Sequence, residues 1–233
     1  MKIALLGYGK MGKTIEKLAL KKGHQIVLKT SSTDTFLDLS ETDVAIEFST
    51  PDAAIQNIQS CFEQDTPVVS GTTGWLDRFD EMIKLCEKRN GSFIYASNFS
   101  VGVNLFFNMN EYVSKLMKPW KDYDVSIEEI HHTEKKDAPS GTAISLAEGI
   151  LKNSDKQNWK LNSDSEKELN ISAKRIDDVK GTHIISYNSE IDSISIKHEA
   201  YSREGFALGA LLAAEWLQNK KGVYSMKDVL EIK

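Results

Sequence analysis

Cysteine is scarce in this sequence, and it has no long apolar run and no basic excess. Its 233 residues include two cysteines, Cys61 and Cys86, without the spacing of a metal site, so we expect reduced, packed thiols, a cytoplasmic protein and no metal. No apolar stretch approaches the roughly 20 residues that cross a bilayer, and the apolar start is too short for a secretory signal. The net charge of −5 disfavours general nucleic-acid binding, which needs a basic face. We therefore expect a globular protein with neither a membrane nor a nucleic-acid partner.

Short apolar runs alternate with helical patterns over the first hundred residues. Helices are predicted over Lys13–Lys22, from Pro51 onwards, and through the stretch that contains Phe79 and Leu85. Repeated strand–helix units of this length imply a parallel sheet with right-handed crossovers. The sequence thus predicts a doubly wound α/β domain. The predicted strands are Lys2–Leu6, Ile26–Leu28, Val44–Phe48, Pro67–Ser70 and Phe93–Ala96.

The pattern changes after about residue 101. Strands now cluster without intervening helices, which indicates an open mixed or antiparallel sheet and a second, α+β domain. The polar stretch Asn153–Glu168 is predicted as a surface loop, and the alanine- and leucine-rich helix Phe206–Trp216 is predicted to pack back on the first domain. We therefore divide the chain into residues 1–101 with 203–233, and residues 102–202. The predicted elements of the second part are helices over Leu105–Met117 and after Pro139, and strands over Asp124–Ile130, Ile171–Ile176, Thr182–Tyr187 and Ser193–His198.

A glycine-rich turn between the first strand and the first helix predicts a nucleotide site. The pattern G-x-G-x-x-G would let Gly7 form the tight turn, Gly9 admit a pyrophosphate, and Gly12 pack helix on strand. The N–H groups at the helix start then hold the phosphates. The alternative is a merely structural turn. The candidate residues are Gly7, Tyr8, Gly9, Lys10, Met11 and Gly12.

The segment after the second strand bears on the choice of cofactor. A carboxylate about 20 residues after the motif is typical of NAD sites, where it binds the ribose hydroxyls. Here Lys29, Ser31 and Ser32 occur, and no acid precedes Asp34. This favours a 2′-phosphate and hence NADPH, with NADH possible, although an ordinary polar loop would look the same.

Two further loops follow the fourth and fifth strands. Ligands of open parallel sheets bind beyond the carboxyl ends of the strands, so both loops are predicted to line the cofactor site. A plain turn is the alternative for each loop. The residues are Gly71, Thr72 and Thr73, followed by Gly74, and Ser97, Asn98, Phe99 and Ser100.

Acid–base and anion-binding residues occur together after the strand that ends near residue 130. If that strand continues, His131 and His132 point to opposite faces and must have different roles. Lys135 adds a mobile positive charge. The following helix start, at Ser140, Gly141 and Thr142, offers unpaired N–H groups suited to a carboxylate. The segment predicts an anion site beside an acid–base group, and a solvated basic loop before a capped helix is the alternative.

Together these motifs resemble the 4-hydroxy-tetrahydrodipicolinate (dihydrodipicolinate) reductase family. The resemblance covers nearly the whole chain in the right order. Where the family has an acidic residue after the second strand, this chain has Ser31. The matching segments are Gly7–Gly12, Gly71–Gly74, Asn98–Val103, Glu129–His132, Lys135, Asp137–Thr142 and Ser202-Arg203.

The resemblance implies a Rossmann domain completed by the C-terminal helix, a substrate domain that builds a homotetramer, and hydride transfer from NADPH or NADH to the ring of a cyclic dicarboxylate. It implies His131 as the proton donor or acceptor and Lys135 as a proton donor. It also implies that His132, with the amides of Gly141 and Thr142, contacts the dicarboxylate, for which Ser140 and Lys135 are further candidates. Two alternatives remain: another two-domain NAD(P) oxidoreductase, and a nucleotide-sensing regulator without chemistry. His183 and His198 fall on strands of the second domain, and their default role is structural.

Overall fold

The computed structural model describes residues 1–31 and 37–232. Two compact units are present, Met1–Asn104 with Glu204–Lys233 (unit 1) and Leu105–Arg203 (unit 2). The strands are β1 (Lys2–Leu6), β2 (Gln25–Thr30), β3 (Val44–Glu47), β4 (Val68–Ser70), β5 (Ser92–Tyr95), β6 (Asp124–His131), β7 (Asn158–Leu161), β8 (Glu168–Arg175), β9 (Thr182–Asn188), β10 (Ser193–Glu199) and β11 (Gly222–Tyr224). The helices are α1 (Lys10–Lys21), α2 (Pro51–Glu63), α3 (Phe79–Lys88), α4 (Val101–Met117), α5 (Gly141–Leu151), α6 (Glu204–Leu217) and α7 (Met226–Val229).

Unit 1 is built on a parallel six-stranded sheet in the order β2-β1-β3-β4-β5-β11. Alternate residues of each central strand enter one of two cores: Ile3 and Leu5 face α1 and α6, whereas Ala4 and Leu6 face α2 and α3. Because both faces are covered, β1 reads as a continuous apolar run. The predicted doubly wound α/β fold is confirmed, and the chain reverses its direction of winding between β1 and β3.

The two cysteines belong to the second of these cores, where both are buried and free. Burial raises the pKa of Cys61 far above its usual range and raises that of Cys86 to about 11. Both groups therefore pack as small apolar side chains, in line with the expectation from their spacing.

Unit 2 contains a mixed sheet in the order β10-β9-β6-β8-β7, with two antiparallel and two parallel pairings. Its core lies on one face, where Ile127, Ile171 and Ile185 meet Phe106 and Leu146. The predicted open mixed sheet is confirmed. No helix in the part of the chain that the structure describes is long and apolar enough to cross a membrane.

Several predicted bounds are wrong. The stretch Asn153–Glu168 is not entirely loop, because β7 forms within it and pairs with β8 at the edge of the sheet. Only Trp159 and Leu161 of β7 reach the core. The mostly polar composition of this stretch therefore predicted a loop where a half-exposed edge strand forms. Helix α4 begins four residues before Leu105, and β11 and α7 were not predicted.

Candidate active site

The turn between β1 and α1 has the shape of a phosphate cradle. Gly7 has φ +102°, and a Cβ there would lie 2.1 Å from the carbonyl oxygen of Phe48. A Cβ at Gly12 would lie 2.4 Å from the carbonyl oxygen of Gly7. Gly9 differs: it is exposed, an added Cβ would meet no described atom within 4 Å, and as the N-cap of α1 it provides no side-chain cap. Since the amides of the first turn of α1, from Lys10 onwards, stay available to an anion, the turn fits a dinucleotide pyrophosphate.

Three side chains meet beside this turn. The ammonium of Lys29, which lies in β2, is 2.5 Å from Oε1 of Glu16 and 4.9 Å from the ring centre of Tyr8. The Tyr8 hydroxyl donates to the same carboxylate, and the hydrogen bond with Lys29 lowers the pKa of Glu16. The segment after β2 predicts no acid at this position, yet α1 supplies one. Ser31 follows β2 and is exposed, whereas the predicted Ser32 lies outside the described residues.

A fully buried glutamate, Glu47, joins the ends of β3 and β4. Its carboxylate accepts hydrogen bonds from Ser70 Oγ (2.7 Å), Thr72 Oγ1 (2.8 Å) and the Ser49 amide (3.0 Å). These donors offset the cost of burying a charge. The predicted cofactor loop is thereby fixed through Thr72, which leaves Thr73 exposed. Sequence reasoning missed Glu47, although a glutamate that ends an apolar strand was a visible signal.

The loop between β5 and α4 is held by Asn98. The Ser100 amide donates to its Oδ1 (2.9 Å), and Asn104 donates to its carbonyl oxygen (2.9 Å). Ser97 is exposed, but the ring of Phe99 packs in the core of unit 1, 5.8 Å from that of Phe48. Of the predicted residues, Phe99 therefore offers a ligand its backbone only.

In unit 2, β6 places His131 in a buried ionic cluster. The buried residues of β6 alternate, so Glu129 and His131 continue the core row of Val125 and Ile127. The strand register sets Arg175 of β8 opposite His131, and Arg175 Nη2 lies 2.9 Å from Glu129 Oε1. The other carboxylate oxygen contacts Nδ1 of His131. The alternation was visible in the sequence, yet sequence reasoning missed Glu129.

The neighbouring cations have partners of their own. Lys135 Nζ lies 2.8 and 2.7 Å from the two carboxylate oxygens of Asp137, and this contact lowers the pKa of Asp137. Arg203 donates to Nε2 of His132 (3.0 Å), so that this nitrogen acts as an acceptor. Strand β6 ends at His131, and His132 begins the loop. Together with Lys180, His132 and Arg203 line an open cleft of about 670 Å³ in unit 2, which the acidic Glu134, Asp177 and Asp178 also line.

The start of α5 is capped from within. Ser140 is buried, and its hydroxyl accepts from the Ala143 amide (3.2 Å) and contacts Nε2 of His183 (3.0 Å). The Ser140 hydroxyl is therefore used internally, whereas an added Cβ at the exposed Gly141 would meet no described atom within 4 Å. The amides of Gly141 and Thr142, which belong to the first helical turn, are suited to an anion.

The other two histidines of unit 2, His183 and His198, have structural contacts. His198 lies against Phe106, with ring centres 5.8 Å apart. Burial lowers the pKa of His183 to about 3, so this ring stays neutral. Glu129, His131 and His183 each offer one ligand atom within 4.8 Å of the others, which is compact enough for a metal ion. The guanidinium of Arg175 on the same carboxylate opposes a further cation.

A parallel sheet of this order with a glycine turn at β1–α1 defines a Rossmann-type, dinucleotide-binding protein. Family models for the N-terminus and the C-terminus of dihydrodipicolinate reductase match residues 1–99 and 102–230. The chain therefore belongs to the dihydrodipicolinate reductase family and is an NAD(P)H-dependent reductase of diaminopimelate and lysine biosynthesis. This membership decides against another oxidoreductase family and against a regulator without chemistry.

Individual relatives agree with the family. The chain is 53% identical to a 4-hydroxy-tetrahydrodipicolinate reductase of Christiangramia forsetii, over 99% of this chain and 98% of the relative. It is 39% identical to the enzyme of the same name from Rickettsia rickettsii, over 96% of each chain. A dipicolinate-bound dihydrodipicolinate reductase from Paenisporosarcina sp. TG-14 shares the fold, with TM-score 0.80, 21% identity and 97% of each chain covered.

Proposed function

We propose that this chain reduces the dehydrated form of 4-hydroxy-tetrahydrodipicolinate to tetrahydrodipicolinate, with His131 and Lys135 as its acid–base groups. The observation that carries the assignment is the position of His131, whose ring ends the core row of β6 against a buried carboxylate. Bound NAD(P)H supplies the hydride. Hydride addition to a conjugated imine builds negative charge, and a proton from a nearby acid must neutralise it.

The cyclic dicarboxylate is assigned to cationic and amide donors of unit 2. His132 and Arg203, 3.0 Å apart, border the cleft, and the amides of Gly141 and Thr142 form a helix start. Lys135 exchanges its Asp137 partner for a substrate carboxylate in this proposal. Ser140 supports the helix start as its cap and makes no direct contact.

The test is a coupled assay in which dihydrodipicolinate synthase generates the substrate and nicotinamide absorbance is followed. We expect oxidation of NADPH or NADH only when the synthase product is supplied. A simple 2-oxo acid in place of that product is the control. Full activity on the 2-oxo acid, with none on the synthase product, would overturn the assignment.

We further propose that NADPH binds at least as well as NADH. Lys29 and Ser31, at the end of β2, favour a 2′-phosphate, although Glu16 shares the charge of Lys29. In cofactor titrations, Lys29→Met should raise the Kd for NADPH more than the Kd for NADH. The control is Lys88→Met, at an exposed position. Equal weakening of both cofactors would refute the role of Lys29.

A homotetramer is proposed from the sheet of unit 2. Helices α4 and α5 pack on one face, and the opposite face presents small hydroxyl side chains that suit face-to-face packing, including Ser186 and Ser195, 2.9 Å apart. Light scattering should give the mass of four 26.1 kDa chains. Ser186→Arg should dissociate the assembly, whereas Gln56→Arg on the exposed side of α2 should not. The mass of one chain for the unchanged protein would refute the proposal.

We assign the protein to the cytoplasm. The supporting observation is that both cysteines are free, buried thiols, as expected in a reducing compartment. Cell fractionation should recover the protein with cytoplasmic marker enzymes, and recovery with an exported marker would contradict this.

A further inference from the structure

The ionic cluster of Glu129, His131 and Arg175 lowers the free energy of unfolding relative to an apolar core. Such a cost suggests that the cluster has a function. Glu129 is 0% exposed and occupies a row that Val125 and Ile127 begin as purely apolar. An apolar residue there would extend the core, whereas a buried carboxylate loses its hydration and must be compensated by charged or polar partners. The structure places two charged or titratable partners on it, Arg175 at one oxygen and the His131 ring at the other, which points to a role for the charge.

Arg175 supplies the compensation and also braces the loop that carries Lys135. Its Nη2 lies 2.9 Å from Glu129 Oε1 and donates to the carbonyl oxygen of Asp137 (2.7 Å), while its Nε donates to that of Lys135 (3.2 Å). Burial alone raises the pKa of Glu129, but the contacts with His131 and Arg175 outweigh it and lower the pKa to about 2. The carboxylate is therefore ionised throughout the physiological range.

The ionised carboxylate decides which nitrogen of His131 can exchange a proton. Since the ionised Glu129 Oε2 lies in ion-pair contact with Nδ1, a proton on that nitrogen is favoured, and Nε2 is left for the reaction. A Cβ at Gly181 would lie 3.2 Å from Nε2, so the glycine leaves room at that nitrogen. The adjacent ring of His183, with its centre 5.1 Å away, is neutral and adds no competing charge.

We propose that Glu129, anchored by Arg175, is the positioning residue that holds the ring of His131 with Nδ1 protonated and Nε2 available to the substrate. This inference rests on the proposed function of His131. In the reaction, the ring starts as the imidazolium with protons on both nitrogens; the N–H bond at Nε2 breaks and its proton passes to the anion that hydride addition creates. The neutral ring keeps its proton on Nδ1, and solvent restores the proton on Nε2.

The variant Glu129→Gln tests this with little change of shape. Arg175 donates to Oε1 of Glu129, so in the variant the amide oxygen should take this position. The amide NH₂ should then face His131 and donate to Nδ1. The ring would then carry its one proton on Nε2, the opposite tautomer, and because Nδ1 accepts from the amide it could not take up the second proton that makes the ring an acid. We expect kcat to fall at least about 100-fold, as when a carboxylate that orients a catalytic histidine becomes an amide. The KM for the substrate and the Kd for NADPH should stay within about twofold, since a positioning residue acts in the transition state.

The direct readout is the ¹⁵N NMR spectrum of His131, assigned by comparison with His131→Ala. It should show a protonated Nδ1 in the unchanged protein and a protonated Nε2 in Glu129→Gln. The matched control is Glu128→Gln, one residue earlier on the opposite face of β6, where the carboxylate pairs with Lys174. This control should leave both the tautomer and kcat unchanged.

The outcomes separate the inference from the proposed function. Unchanged kcat and tautomer in Glu129→Gln, together with an inactive His131→Ala, would overturn the positioning role and leave the proposed function standing. Full activity in His131→Ala would overturn the proposed function and, with it, this inference. If Glu129→Gln fails to fold, Arg175→Lys replaces it: kcat should fall at least about tenfold and the Nδ1 resonance should move, and no change in either would overturn the inference.

Discussion

Two glycines at helix starts, Gly9 and Gly141, provide a matched pair of perturbations. Both are exposed, and a Cβ added to either would meet no described atom within 4 Å. Gly9→Ala and Gly141→Ala should therefore fold. The added methyl groups project instead into the space that we assign to ligands, the cofactor pyrophosphate in unit 1 and a substrate carboxylate in unit 2.

The magnitude follows from the amides that each methyl group would obstruct. A hydrogen bond from a backbone N–H to a charged group contributes about 1.5–3 kcal/mol. Each 1.4 kcal/mol corresponds to about a tenfold change in affinity. Losing one such bond at Gly9 should raise the Kd for NADPH about 10- to 150-fold. The helix itself should lose about 1 kcal/mol, since alanine is a poorer N-cap than glycine.

The assay is a fluorescence titration of NADPH, combined with steady-state kinetics in which the substrate is varied. Gly9→Ala should weaken the cofactor and leave the substrate KM within about twofold. Gly141→Ala should raise the substrate KM about tenfold or more and leave the Kd for NADPH unchanged. If Gly9→Ala binds NADPH normally, the pyrophosphate does not lie against this turn and the placement of the cofactor is wrong.

Three further predictions concern charge. His131→Ala should reduce kcat about 100- to 10,000-fold, whereas Lys135→Ala should lower kcat and also raise the substrate KM. The affinity for NADPH should be unchanged in both variants. Normal turnover in His131→Ala would move the role of proton donor to Lys135 or to bound water. Ser31→Glu should weaken NADPH through repulsion of the 2′-phosphate, and an unchanged Kd would show that this segment does not face the ribose. The pKa of Glu129 is lowered from 4.5 to about 2 on folding, so the stability that it contributes is present above pH 4.5 and lost as the pH falls towards 2. As the pH is lowered from 5 to 2, the urea midpoint of unfolding should fall less steeply for Glu129→Gln than for the unchanged protein. Parallel curves of midpoint against pH for the two proteins would contradict this account.

The fold and the glycine turn could be read from the sequence because both depend on local patterns. Strands buried on two faces, such as β1, are continuously apolar, and positions such as Gly7 and Gly12 permit no side chain for steric reasons. The edge strand β7 escaped prediction because its apolar face consists of only two residues, Trp159 and Leu161, and pairing with β8 supplies the rest of its stability.

Some partners of the site residues depend on tertiary structure. Glu16 reaches Lys29 from another element, and Arg175 reaches Glu129 across 46 positions of the chain. The packing of α1 beside β2 creates the first contact and the register of β6 against β8 the second, and neither follows from a local segment. The sequence by itself therefore determined the fold class, the family and the positions of His131 and Lys135. Only the tertiary structure decided that Arg175 holds the carboxylate beside His131, because strands far apart in sequence lie side by side in the sheet.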